Sequence, residues 1–274
     1  MQRSEIGGTA GQGERMQSPA ARLATFALEA IAPTRCAGCE RPGALLCAAC
    51  LERMTPIDPR HACLRCGAPY GDVVCTECAR TDGGQAHGDN VHEGGPGQLP
   101  PAAQQRVCVA ALFEDPLPRV IRAYKDAGER RLAPMLADLM IDAAEHAERA
   151  APERYGGLLS NAEAIVFVPA TSAAYRRRGF DHMEAIARAA SATSGVPVLD
   201  ALIKRGAADQ RALGRTGRLQ AALGAYSVVE EVQGKRILLI DDVLTTGATL
   251  RAAARVLDEA GAAHVDMLAL ARAW

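Results

Sequence analysis

The chain is short of lysine, of aromatic rings and of long apolar runs, and each shortage removes a class of function. Only three of its 31 basic residues are lysine (Lys125, Lys204 and Lys235), and the formal net charge is −1. That balance excludes a generally basic nucleic-acid coat, although it leaves room for a local basic patch. Aromatic residues make up 4% of the chain, which supplies a stacking platform for single-stranded nucleic acid poorly. No apolar run approaches the ~18 residues that cross a bilayer, so no membrane insertion is expected. The opening stretch, MQRSEIGGTAGQGERMQSP, has no apolar segment behind a basic start and does not read as a secretory signal. The expected setting is therefore cytoplasmic, where thiols stay reduced. What remains is ordinary for a globular protein: 274 residues, 49% hydrophobic and 23% charged. At ~150 residues per domain this is roughly two domains, or one with an appendage.

Cysteine, by contrast, is plentiful and patterned. Eight of nine cysteines form four CxxC pairs: Cys36/Cys39, Cys47/Cys50, Cys63/Cys66 and Cys75/Cys78. A CxxC turn puts two sulfurs on one side of a tight knuckle, and two knuckles supply the four thiolates of a tetrahedral zinc site. Buried apolar cysteines would not fall into such pairs, a reducing compartment disfavours disulfides, and no βαβ context supports CxxC redox chemistry. One or two structural zinc ions are expected. Sequential pairing of the knuckles and a cross-braced pairing, first with third and second with fourth, both fit the spacing. Gly38 and Gly67 sit where the knuckles turn. His61, His87 and His92 read as loop histidines, because the thiolates already complete the ligand set. Cys108, inside VCVAALF, reads as a small buried residue on a strand.

The rest of the chain divides by composition. Residues 1–30 read as weakly ordered, 31–79 as the cysteine module, and 80–105, crowded with Gly and Pro, as a linker. Residues 106–274 alternate between strand and helix patterns. Strands are expected at 107–113, 164–168, 196–199, 236–240 and 263–270, and helices at 116–126, 131–149, 181–192 and 247–259. Apolar strands alternating with helices indicate an α/β fold with a parallel sheet flanked by helices, preceded here by a small zinc-ribbon-like module. Ligands in such sheets bind beyond the carboxyl ends of the strands.

One strand end carries distinctive chemistry. KRILLIDDVLTTGATL runs a buried strand into Asp241 and Asp242, then a short loop, Gly247, and a helix. Thr245, Thr246 and Thr249 supply hydroxyls, Gly247 and Ala248 allow close approach, and free N–H groups at a helix start attract a phosphate dianion. Adjacent carboxylates can accept hydrogen bonds from the vicinal hydroxyls of a ribose. Together these parts suit a ribose 5′-phosphate.

This pattern resembles the motif by which type I phosphoribosyltransferases bind 5-phosphoribosyl 1-pyrophosphate (PRPP). Residues 166–190, VFVPATSAAYRRRGFDHMEAIARAA, resemble the pyrophosphate-side loop and following helix of the ComF family. Residues 121–137 and the stretch from Gln210 through Leu213, Arg215, Arg218 and Leu219 are also similar to that family, as is the order of cysteine module and C-terminal domain. The family's RGFN reads RGFD here, with Asp181 for Asn; Ala221 stands for another Asn, and Ala170-Thr171-Ser172 for Leu-His-Pro. The resemblance implies a phosphoribosyltransferase fold, PRPP or a related ribose phosphate as ligand together with magnesium, and a role in DNA uptake or growth on DNA. The PRPP-binding residues would be Asp241, Asp242, Thr245, Thr246, Gly247, Ala248 and Thr249. Pyrophosphate departure needs positive charge and a metal across the leaving oxygens. Lys125 and the loop of Pro169, Arg176, Arg177, Arg178 and Gly179 could supply that charge. Asp241, Asp242, Lys125 and Arg178 are the catalytic candidates for pentosyl transfer to an unspecified acceptor. The competing reading is a binder without transfer activity, holding single-stranded DNA or sensing PRPP within a DNA-import system.

The cysteine pattern generates the first prediction. Freshly purified, reduced protein carries one or two zinc ions per chain by elemental analysis; metal-free protein under those conditions overturns the reading.

Overall fold

The computed structural model describes residues 33–70, 74–76, 78, 105–204 and 225–273. The expected weakly ordered N-terminus, most of the Gly/Pro linker and the segment from Gln210 to Ala221 lie outside the described residues. Four strands form one parallel sheet: β1 (Val107–Leu112), β2 (Ala164–Phe167), β5 (Arg236–Leu244) and β6 (His264–Arg272), in the order β1-β6-β5-β2. β3 (Leu202–Lys204) and β4 (Tyr226–Val228) form a separate antiparallel pair. The helices are α1 (Ala48–Glu52), α2 (Leu117–Lys125), α3 (Ala133–Ala150), α4 (Pro152–Tyr155), α5 (Ser172–Arg178), α6 (His182–Ser194) and α7 (Ala248–Glu259). No helix among them is long and apolar enough to cross a membrane.

The central strands are apolar on both faces because both faces are covered. Leu238 and Ile240 of β5 pack with Leu136 and Met140 of α3 and Ile186 of α6. Ile237 and Leu239, one residue out of phase, pack with Leu250, Ala253 and Leu257 of α7. α6, the second helix after β2, thus covers one face and α7, the helix after β5, the other. Adjacent strands whose connections part in this way leave a crevice between their carboxyl ends, where ligands of open α/β sheets bind.

The cysteine module does not hang from the sheet as a separate bead. It straddles β1, which would otherwise be an exposed edge. Residues 55–57 run antiparallel along it, through the Pro56–Ala111 bridge and the bonds from Ile57 N–H to Ala110 O (3.1 Å) and Leu112 N–H to Thr55 O (2.9 Å). On one face Cys36, Leu46 and Cys50 join the α2–α3 core. On the other, Gly67 lies against Val109: its φ is +64°, and an added Cβ would stand 2.2 Å from Val109 Cγ2. Gly38 has the matching role on the first face, where a Cβ would meet Cys50 Sγ at 2.8 Å and Pro116 Cβ at 3.0 Å.

Three sequence expectations are corrected. β5 does not end at Ile240 but continues through both aspartates to Leu244, because partners inside the fold make their burial tolerable. The arginine run is not a loop but α5. Thr171 caps it by accepting the Ala174 N–H (3.1 Å), and Gly179 ends it in the left-handed region at φ 74°. Residues 196–199 make only one bridge, Val198 to Ile165; Pro197 has no N–H to give a ladder.

The edge contact is testable. Chelation of zinc should strip hydrogen-exchange protection from the Val107 and Leu112 amides, which bond to Leu64 O and Thr55 O, while β5 and β6 amides stay protected. Unchanged protection at Val107 and Leu112 would show that the module does not depend on metal.

Candidate functional site

Among the described residues the cysteines gather as two sequential sets, Cys36/Cys39/Cys47/Cys50 and Cys63/Cys66/Cys75/Cys78, each with all four sulfurs within 4.8 Å of one another. This decides for sequential over cross-braced pairing. Zinc–sulfur bonds of ~2.3 Å imply tetrahedron edges of about 3.8 Å. Cys39–Cys47 and Cys66–Cys75 stand at 3.7 and 3.6 Å. The two sets repeat one design, in which the Cys47 N–H donates to Cys36 Sγ (3.3 Å) and the Cys75 N–H to Cys63 Sγ (3.2 Å). Burial pushes Cys36 up, but the Cys47, Gly38 and Cys39 amides hold it down at about 6. The Cys66 thiol and, against burial, the Cys75 amide hold Cys63 at about 4. Burial and neighbouring sulfurs push Cys50 up to about 12. Four thiolates together therefore require a dication, and the donor set fits zinc. Cys108 is buried on β1 with its thiol raised to about 12 by burial, an inert packing residue.

The second site lies at the carboxyl ends of β2 and β5. Successive strand residues point to opposite faces, so the two aspartates part company. Asp242 shares the face of Leu238 and Ile240 and meets α2 and α6. Its Oδ2 forms an ion pair with Lys125, the last residue of α2, and accepts the Nε2–H of His182, the first residue of α6, at 2.9 Å. Its Oδ1 accepts the Val243 N–H at 2.6 Å. Burial would raise its carboxyl, but His182 and Lys125 hold it well below the usual carboxylate range. Asp241 faces the β3–β4 side. Burial first, and the Asp242 charge second, push it up to about 7. Its Oδ1 accepts the Asp242 N–H at 2.9 Å.

His182 was not among the sequence candidates. A guanidinium can only donate, so the 3.3 Å contact from Arg178 Nη1 makes His182 Nδ1 an acceptor and puts the ring proton on Nε2, facing Asp242. Arg178 also reaches Asp126, at 3.7 Å. The signal was present: Asp181 is a helix-capping residue type, and the next residue starts α6. Asp181 Oδ1 accepts the Met183 and Glu184 amides, and its Oδ2 accepts the Ala170 N–H at 2.7 Å. The departure from RGFN therefore ties the turn after Pro169 to α6. The three arginines separate: Arg178 turns inward, Arg176 borders a cleft with Pro169, and Arg177 is exposed.

The remaining candidates form the turn that opens α7. Thr245, Thr246, Ala248 and Thr249 are exposed around Gly247, whose φ is 72°. Arg251 donates to Thr246 O, and Arg272 donates to Leu244 O (3.1 Å) and Thr245 O (2.5 Å). Two guanidiniums thus brace the turn from behind, adding positive charge to a helix N-terminus.

The raised carboxyl has a stability consequence. Asp241 binds its proton more tightly folded than unfolded, so its contribution is full below the unfolded value near 3.8 and is lost as pH rises through about 7. Asp241→Asn should stabilise the fold at pH 8 by on the order of 1 kcal/mol or more, read as a higher melting temperature, and change it little near pH 4. Equal effects at both pH values would contradict this.

Two protein-family models match: one described as a double zinc ribbon domain over residues 27–81, and one as a phosphoribosyl transferase domain over residues 171–273. Competence protein ComFC of Streptococcus pneumoniae is 36% identical over 108 residues, which is 39% of this chain and 47% of that protein; the match thus spans about half the relative's length. DNA utilization protein YhgH of Escherichia coli is 27% identical over 248 residues, 88% of this chain and 97% of that protein. Among solved structures, the allosteric regulatory enzyme of purine biosynthesis matches at 26% identity and a TM-score of 0.30, covering 51% of this chain and 24% of that one. The chain thus joins a double zinc ribbon to a parallel-sheet phosphoribosyltransferase-type domain and is similar to competence and DNA-utilization proteins, which is consistent with the ComF resemblance of its sequence.

Proposed function

We propose that the chain binds PRPP or a closely related ribose phosphate with magnesium at the carboxyl ends of β2 and β5, and transfers its pentosyl group. The observation that supports this best is the α7 turn, whose exposed Thr245, Thr246 and Thr249 surround Gly247 and whose carbonyls are braced by Arg251 and Arg272, at the end of the strand that carries Asp241 and Asp242. The 5′-phosphate sits on the 245–249 turn. Asp241 accepts a ribose hydroxyl. Asp242, already bonded by Lys125, His182 and the Val243 amide, orients the Lys125 ammonium toward the 1-position. Magnesium suits this site because it is held mainly through substrate phosphates and keeps its waters, so no closed protein cage is needed; bound there it neutralises charge on the leaving pyrophosphate. In the transfer, the bond from C1 to pyrophosphate breaks with its electron pair leaving on pyrophosphate, while an acceptor atom bonds to C1. Lys125 and Arg178 are the protein's own positive charges for that step. The competence and DNA-utilization names of the relatives support a cellular role in handling imported DNA.

A ligand bound only by the native state stabilises it by mass action. PRPP with magnesium should therefore raise the melting temperature, and Asp241→Asn/Asp242→Asn should abolish the rise; a double variant that responds like wild type sinks the reading.

The arginines separate transfer from DNA binding. Arg178→Ala should weaken PRPP about tenfold or more through a lost charge-assisted contact, while ribose 5-phosphate is little affected. If α5 instead contacts DNA, Arg176→Ala and Arg177→Ala should each lower the salt dependence of oligonucleotide binding by about one unit and leave PRPP unchanged. That outcome would favour the binder.

A further inference from the structure

A cleft of about 410 Å³ opens at the carboxyl end of β2, between α5, the start of α6 and β3. Its lining has an unusual composition. Tyr175 on α5 and Ile203 on β3 are 51% and 50% exposed, two of only five large apolar side chains exposed among the described residues, and both border this one cleft. Three carboxylates border it as well. Asp181 is consumed by backbone amides, and Glu184 is held by Arg188 at 2.7 Å. Asp200 differs: among the described residues it has no hydrogen-bond or ion-pair partner. Burial, and then the charges of Glu184 and Asp181, raise its carboxyl above the usual value.

The cleft adjoins the acid pair. Lys204 borders it, lies over the Tyr226 ring at 5.4 Å, and is close enough to Asp241 to lower that carboxyl. A ligand filling the cleft would therefore sit beside the ribose that Asp241 is assigned to hold. Two cations, Arg176 and Lys204, face three carboxylates. Lys204 is turned toward Tyr226 and Asp241, and Arg176 is exposed on α5.

We propose that this cleft receives the acceptor of the transfer, and that it selects a neutral heteroaromatic base bearing an amino group and discriminates against carboxylated acceptors. The flat ring lies between Tyr175 and Ile203, and its amino N–H donates to Asp200. Two half-exposed apolar walls give flat contact area, and an unpartnered carboxylate at the rim accepts from an N–H donor. An acceptor that brought its own carboxylate would meet Asp200 and Glu184 at close range, where like charges repel. This inference rests on the ribose-phosphate reading above.

The experiment is isothermal titration of the full-length zinc-loaded protein, with magnesium and ribose 5-phosphate present, using adenine, cytosine and orotate as probes. At least one amino base should bind, orotate should bind at least tenfold more weakly, and Asp200→Ala should weaken the amino base about tenfold or more. Asp200 is exposed, so the variant folds; its unchanged ribose 5-phosphate affinity verifies that. Orotate binding as tight as either amino base, or an amino base indifferent to Asp200→Ala, overturns the proposal. Ribose 5-phosphate binding without any binding of adenine or cytosine also overturns it while leaving the ribose-phosphate reading intact. Failure of ribose 5-phosphate itself to bind overturns that reading instead, and an Asp200-dependent amino base would still uphold the cleft's selectivity.

Discussion

The ion pair of Lys125 with Asp242, closed by His182, is the contact on which the carboxyl edge of the sheet depends. β5 is buried on both faces, and a carboxylate there is costly unless paired and hydrogen-bonded. The last residue of α2 and the first residue of α6 supply that pairing, so two helices must end and begin at one place. Removing one partner of a buried pair typically costs about 3–5 kcal/mol, because the other charge is left uncompensated. Arg178 behind His182, and the Tyr124 hydroxyl donating to the His182 carbonyl, hold the imidazole in turn. Asp241, one peptide away on the other face, forms no ion pair among the described residues; the charges of Lys125 and Lys204 act on it only at longer range and do not offset its burial.

This arrangement reaches back to the zinc module through α2. The first knuckle packs at the start of that helix, with Gly38 against Pro116 and Arg119 donating to Gly38 O at 3.4 Å. Lys125 is at its other end. The module also closes the β1 edge, which would otherwise present unpaired backbone groups to other chains. Cys36 and Cys50 of the first set share a core with α2 and α3, and Gly67 beside the second set packs on Val109, so the module is not a detached appendage. At the opposite end of the sheet, Arg106 bonds to the buried Asp266 and to the carbonyls of Arg154 and Gly156. This ties β1 to β6 at the end of the sheet away from Asp241 and Asp242.

Much of this was legible in the residues alone, for definite reasons. Four CxxC pairs admit little besides metal. Continuous apolar runs at 164–168 and 236–240 need cover on both faces, which a parallel sheet between helices provides. The 245–249 turn announces itself because glycine and hydroxyl residues at a helix start have few other uses. These are local signals, carried by spacing and by the periods of strand and helix.

What the sequence by itself determined is therefore the two modules, the sheet and the residue types at its carboxyl edge. Only tertiary structure decided which knuckles pair, that the module straddles β1, that His182 joins Lys125 on Asp242, and that the three arginines of α5 part toward different neighbours. Each of those depends on which distant segments meet. Asp241 and Asp242 are the same residue type side by side, and nothing local distinguishes them. Their difference comes from the strand's alternation, which sends one toward Lys125 and His182 and the other toward Tyr226 and Lys204, and a carboxylate's charge is set by the groups that surround it.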